Sequence, residues 1–167
     1  MSKTVMVTGA NRGIGLGLVR VLCDKGFRVL ATCRDPSSAP ELREVLKNGK
    51  QPEPIALDVA EDASIDQLGK YLEANQLCVH YLINNAGVAA KNHPVDPPDN
   101  VDREDALKLF NINVIGMAKV TQASGVLRPD NKGGKVNTRL SLVNVPNTRL
   151  SLVNVPNARL SLVNTLR

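Results

Sequence analysis

The chain has 167 residues, enough for one domain of ordinary size, and 43% of them are hydrophobic. With two Phe, two Tyr and no Trp the core must be aliphatic, no apolar run approaches the roughly 18 residues of a membrane span, and Cys23, Cys33 and Cys78, odd in number and without metal-ligand spacing, read as reduced and mostly buried thiols. The net charge of +5 averages two unlike parts: residues 1–130 hold 15 Lys or Arg against 16 Asp or Glu, whereas residues 131–167 hold six Lys or Arg and no acid, each basic residue standing without aromatic neighbours, so neither nucleic acid nor a membrane is expected as a partner.

In chain order, Thr4-Val5-Met6-Val7 has the composition of a strand, and Met1-Ser2-Lys3 before it leaves no room for a secretory leader, so a cytoplasmic protein is expected. Thr8-Gly9-Ala10-Asn11-Arg12-Gly13-Ile14-Gly15 follows, and then Leu16, Val19 and Leu22 at helical spacing. Strand, glycine turn and helix form the context in which such a turn binds a dinucleotide. Glycines let the backbone turn sharply and let a phosphate approach it, and the helix N-terminus offers free N–H groups to pyrophosphate. Asp24-Lys25-Gly26 ends the helix, with Gly26 as its C-terminal glycine.

Residues 27–33 read as a second strand. About 20 residues past the glycines, where a carboxylate would take the ribose hydroxyls of NAD, stands Cys33-Arg34. Arg34 and Arg12 together attract a 2′-phosphate, so NADP(H) is the expected cofactor. Asp35-Pro36-Ser37-Ser38 is a turn, residues 41–47 a helix, 55–59 a third strand, 61–75 an amphipathic helix, and 81–84 a short buried strand. Residues 88–101, rich in Pro, Asn and Asp, read as a surface loop, and 102–125 as a further helix. This alternation predicts an α/β fold with a doubly wound parallel sheet.

The stretches Thr8–Gly15, Asp58-Val59, Asn84-Asn85-Ala86-Gly87 and Asn111-Ile112-Asn113-Val114, in this order and spacing, resemble the short-chain dehydrogenase/reductase family over about residues 3–135. Ala31-Thr32-Cys33-Arg34-Asp35 and Leu82–Val88 look closest to its small cytosolic carbonyl reductases, including the sniffer-type group. The resemblance implies a Rossmann-type fold and reduction of carbonyls to alcohols by NADP(H). It implies that Gly9, Asn11, Gly13, Ile14 and Gly15 form the pyrophosphate turn and that Arg12 and Arg34 hold the 2′-phosphate. Asp58 would meet the adenine amino group with Val59 beside the ring, and Asn85, Ala86 and Gly87 would line the ribose. Asn113 matches the helix Asn that supports a proton-relay water. Plain turn chemistry for Asn84 and Asn85, and a locally satisfied side chain for Asn113, remain alternatives.

The family's chemistry also needs a Ser, a Tyr and a Lys four residues after that Tyr, which lowers the phenol's pKa. Tyr71 and Tyr81 are the only tyrosines, and Asn75 and Asn85 stand four residues after them. In place of the missing motif, Thr138–Asn147 recurs identically as Thr148–Asn157, and a third copy runs from Ala158 to Asn164. Leu-Val-Asn-Val within each copy resembles the family's fifth strand, apolar-Val-Asn-apolar-Ser-Ser, with Pro146-Asn147 in the Ser positions; Ser141, counted from Lys135, is the other candidate. Residues 1–135 are thus expected to form an NADP(H)-binding domain, incomplete at its C-terminal half, and 136–167 a repeat tail. Three functions stay open: a catalytically silent relative of the carbonyl reductases, a sensing or heterodimerising pseudoenzyme that self-associates through tail strands or pairs with a full-length relative, and a fragment without function.

Overall fold

β1 (Thr4–Val7) is buried at all four positions, and the remaining strands are laid out on either side of it. The structure, a computed structural model, describes residues 3–89, 102–127, 135–138, 150–151 and 163–164. On one side of β1 lie β2 (Arg28–Cys33) and then β3 (Ile55–Ala56); on the other lie β4 (Tyr81–Asn84) and β5 (Lys135–Thr138). The order is β3-β2-β1-β4-β5 with every pairing parallel, so the expected doubly wound sheet is present.

Alternation along the strands divides the core in two. Val5 and Val7 of β1, with Val29, Ala31 and Cys33 of β2, pack against Leu16 and Val19 of α1 (Gly13–Asp24) and Leu42 and Leu46 of α2 (Pro40–Asn48). Met6, Leu30 and Leu82 point the other way, onto Ile65, Leu68 and Leu72 of α3 (Asp62–Ala74) and onto Val120. Buried on both faces, these strands carry continuous apolar runs, as a covered parallel sheet requires.

The helix expected over 102–125 runs from Arg103 without a break, but in three pieces: α4 (Arg103–Phe110), a π-helical stretch at Asn111–Gly116, and α5 (Met117–Ala123). The Asp102 carboxylate caps it, accepting from the Glu104 amide at 2.9 Å. The π-helical stretch lies against the chain that follows β3, where the Asn111 side-chain amide donates to the Ala60 carbonyl at 3.3 Å. The third strand is shorter than its apolar composition suggests. After Leu57 the Asp58 carboxylate accepts from the Ala60 amide at 2.9 Å, and the Asp58 amide donates to Ser64 Oγ at 2.8 Å, which turns the chain into α3.

The fifth strand is displaced from its expected place. It is Lys135–Thr138, in register with β4 from Tyr81↔Lys135 to Asn84↔Thr138, and not the later Leu142–Val145, which lies outside the described residues, as does most of the loop over 88–101. Backbone pairing to β4 sets this position, and Val136 packs on the second core half. From the repeats, β6 (Leu150–Ser151) and β7 (Val163–Asn164) pair antiparallel. Among the cysteines, Cys33 is buried and Cys23 partly so, whereas Cys78 is exposed, contrary to the expectation for a buried thiol. Among the described residues no helix is long and apolar enough to cross a membrane.

Candidate functional site

The turn after β1 is held by backbone bonds on both flanks: the Thr8 amide donates to the Ile83 carbonyl at 3.1 Å, and the Ala10 amide to the Thr32 carbonyl at 2.9 Å. Gly9 and Gly13 have φ of +63° and +54°, the left-handed region that favours glycine. A Cβ at Gly9 would lie 2.9 Å from the Ala86 Cα, and one at Gly15 would lie 2.2 Å from the Gly9 carbonyl oxygen. At Gly13 it would meet nothing within 4 Å. Two of the glycines are therefore demanded by packing, and the third faces open space.

Thr8 and Asn85 fasten this turn to the end of β4. Thr8 Oγ1 accepts from the Asn85 and Ala86 amides at 3.0 and 2.9 Å. Asn85 Nδ2 donates to the Thr8 and Gly9 carbonyls at 2.9 and 3.0 Å. Asn85 thus spends its side-chain amide on the glycine turn. The role of Thr8 escaped the sequence reading because a buried Thr at a strand end carries no pattern of its own.

A cleft of about 980 Å³ opens at this end of the sheet. Gly9, Asn11, Arg12, Gly13, Ile14 and Gly15 line it from the turn, Arg34 from the end of β2, Asp58 and Val59 from beyond β3, and Asn85, Ala86 and Gly87 from beyond β4. The structure therefore brings all the expected cofactor residues to one cleft. Cys33, Asp35, Ser38, Leu57, Val88 and Ile112 also line it; four of them stand within the family-like stretches quoted above, but none was given a part in the cofactor site, which only the fold reveals. Ile14 is 75% exposed, an apolar side chain held at the mouth of the cleft.

The cleft's electrostatics favour an anion. α1 begins at Gly13 with no side chain capping its first N–H groups and no acid in its first turn, which leaves the positive end of the helix dipole uncompensated. Arg12 and Arg34 are exposed and make no ion pair among the described residues. Two acids, Asp35 and Asp58, also line the cleft; the Asp35 carboxylate accepts from the Ser37 amide at 2.8 Å and from the Ser37 hydroxyl, bonds that hold its pKa below the usual range and direct it into its own turn. Burial, then the Asp35 charge, pushes the Cys33 thiol up, and Arg43 offsets part of this. Cys33 is an uncharged wall of the cleft.

The profile of the short chain dehydrogenase family matches residues 3–144. The chain belongs to this family. It is 34% identical over 146 residues to a 3-amino-tetrahydro-pyrrolizinone reductase of Xenorhabdus hominickii, covering 86% of this chain and 47% of the relative. It is 32% identical over 122 residues to a probable NADP-dependent dehydrogenase of Haemophilus influenzae, covering 72% of this chain and 46% of the relative. A solved short-chain dehydrogenase from Streptomyces avermitilis superposes with a TM-score of 0.69 at 26% identity, over 81% of this chain and 47% of that one. The chain thus spans a little under half the length of these relatives.

Within this short-chain dehydrogenase fold, Asn113 lies on the π-helical stretch and not in the large cleft. It borders an adjoining cavity of about 240 Å³ with Asn84, Val88 and Met117. Its side chain clamps one residue: Nδ2 donates to the Val88 carbonyl at 2.8 Å, and the Val88 amide donates back to Oδ1 at 2.9 Å. The two tyrosines are remote from both cavities. Tyr71 lies on α3, and Tyr81 opens β4, with Lys3 Nζ donating to its hydroxyl at 3.1 Å. That hydrogen bond lowers the phenol's pKa, with Lys3 and Lys135 adding favourable charge. A Tyr–Lys pair therefore exists, at the opposite end of the strands from the glycine turn.

Proposed function

We propose that the chain binds NADP(H) in the cleft, as a relative of the small carbonyl reductases in which the family's hydride chemistry has no proton donor. The observation that carries the reading is the uncapped N-terminus of α1, with Gly13 open beside it and Arg12 and Arg34 on the rim without an ion pair among the described residues. An anion the size of pyrophosphate fits that donor set. Arg12 and Arg34 would hold the 2′-phosphate, Asp58 and Val59 would face the adenine, and Ala86 and Gly87 the ribose. When bound, the nicotinamide supplies hydride.

Reduction of a carbonyl also needs an acid at the developing oxyanion, worth about 10²–10⁴-fold. The Tyr81 phenol is held by Lys3 at the end of the strands opposite the glycine turn. On β5, Val136-Asn137 takes the family strand's Val-Asn, so Arg139 and Leu140 follow Thr138 where the two Ser would stand. Asn113 would order water, and water is a weak acid beside an activated phenol.

The test is titration of the purified chain with NADPH and NADH. NADPH should bind about tenfold more tightly, since an exposed charge–phosphate contact is worth about 1 kcal/mol or slightly more, and Arg34→Asp should erase the difference. In the same preparation, NADPH oxidation with quinones and dicarbonyls should match a no-enzyme control. Equal affinity for the two cofactors overturns the cofactor assignment. Turnover near 1 per second or above, in the ordinary enzyme range, overturns the loss of catalysis.

A further inference from the structure

We infer that Arg43, which lies outside the cleft, is a positioning residue that shapes the 2′-phosphate subsite by locking the turn that carries Ser38 and lies one residue beyond Arg34. The inference rests on the cofactor reading above and adds a residue that no motif marks.

The turn Pro36–Ser38 follows Arg34 after one residue, Asp35, and supplies Ser38 to the cleft wall. Its inner side is tied by Asp35, whose carboxylate takes the Ser37 amide and hydroxyl, while Ser38 Oγ donates to the Asp35 carbonyl at 3.2 Å. Its outer side is tied by one guanidinium. Arg43, one turn into α2, donates from Nε to the Pro36 carbonyl at 3.0 Å and from Nη2 to the Ser37 carbonyl at 3.2 Å. Only a planar fork spans two successive carbonyls in this way; an ammonium at the same place is a point donor. The fork holds two successive carbonyls of the turn, and its charge offsets part of the upward push of burial and Asp35 on the Cys33 thiol in the cleft wall.

Nothing in this arrangement touches the pyrophosphate turn, which is built from the residues after β1 and beyond β4. The consequence is selective: disturbing Arg43 should affect recognition of the 2′-phosphate and leave the rest of the cofactor site intact.

The experiment uses the full chain and equilibrium binding of NADPH, NADH, adenosine 2′,5′-bisphosphate and AMP, with the unfolding midpoint of each variant measured alongside. Arg43→Ala should weaken NADPH and the bisphosphate roughly five- to tenfold, the scale of losing two charge-assisted hydrogen bonds that act indirectly, and leave NADH and AMP within about twofold. Arg43→Lys should recover only part of the loss. Arg20→Ala removes another exposed guanidinium, one paired with Glu41, and should change none of the four. Parallel weakening of NADPH and NADH by Arg43→Ala, or no weakening of either, overturns the inference while the cofactor reading stands. Absence of any NADPH preference in the unaltered chain overturns the cofactor reading, and this inference with it.

Discussion

A methyl group at Gly15 would sit 2.2 Å from the Gly9 carbonyl oxygen and 2.6 Å from Asn85 Nδ2, whereas one at Gly13 would meet no atom within 4 Å. The two positions are two residues apart in a single turn, yet they carry different kinds of constraint. At Gly15 the neighbour is backbone that Asn85 holds in place, so it cannot give way. At Gly13 the only cost to the fold is a left-handed φ, about 1–2 kcal/mol for an alanine. Gly15→Ala is therefore expected to cost about 3 kcal/mol or more through overpacking and to leave little folded protein. Gly13→Ala should fold, with a midpoint lowered by only about 3–6 °C, and should lose NADPH binding at least tenfold because its methyl fills the place of the phosphate. Thermal unfolding and cofactor titration of both variants check this. A Gly13→Ala chain that binds NADPH normally would remove the glycine turn from the site.

At the scale of elements, the π-helical stretch couples the long helix to the cleft. Gly116 lies so close to the chain after β3 that an added Cβ would stand 2.0 Å from the Val59 carbonyl oxygen, and Val59 lines the cleft. Gly116→Ala must push the helix away from that wall. We expect a loss of about 1–3 kcal/mol, read as a fall in the unfolding midpoint, with weaker NADPH binding through the displaced Val59; an unchanged affinity would show that the wall moves independently of the helix. The sequence foretold the helix here, from the spacing of Ala106, Leu107, Phe110, Val114 and Met117, but not its widened turns or its buried face: Leu107 and Phe110 are exposed and Leu109, Asn113 and Val120 are buried, because apolar spacing does not report how the backbone hydrogen bonds. Likewise the glycine turn, Arg34 and Asn85 were legible, since glycine at close approaches and charge at a cleft rim leave marks in residue type. Thr8, Ser38 and Arg43 were not, because the contacts that place them join strand ends and turns across 6 to 78 residues of chain and leave no mark in residue type.

For the molecule as a whole, the open question is where the folded domain ends. In the sequence, charge composition changes after residue 130, while the family resemblance and the onset of the repeats place the boundary at residue 135. The sheet places Lys135–Thr138 inside the fold, paired along its whole length with β4, so a cut at 135 would remove all but the first residue of β5. Val136 packs on the core half built by Met6, Leu30 and Leu82. Without the strand, β4 becomes the sheet's edge, and the backbone N–H and C=O groups that paired with β5 are left to water or to another chain beside the apolar Leu82 and Ile83. Burying a valine is worth roughly 1.5–3 kcal/mol when complete; for a partly buried one with its strand pairing, about 2 kcal/mol is a fair expectation, or about 5–8 °C in midpoint for a domain of this size. A chain stopped after Thr138 should therefore unfold within about 2 °C of the full chain, while one stopped after Gly134 should unfold about 5–8 °C lower and aggregate more readily. NADPH affinity per folded molecule should be the same in the first and fall in the second, because β4 delivers Asn85 to the glycine turn. Should both truncations lose stability equally, the repeats themselves would be what supports the sheet, and the domain would extend into the tail.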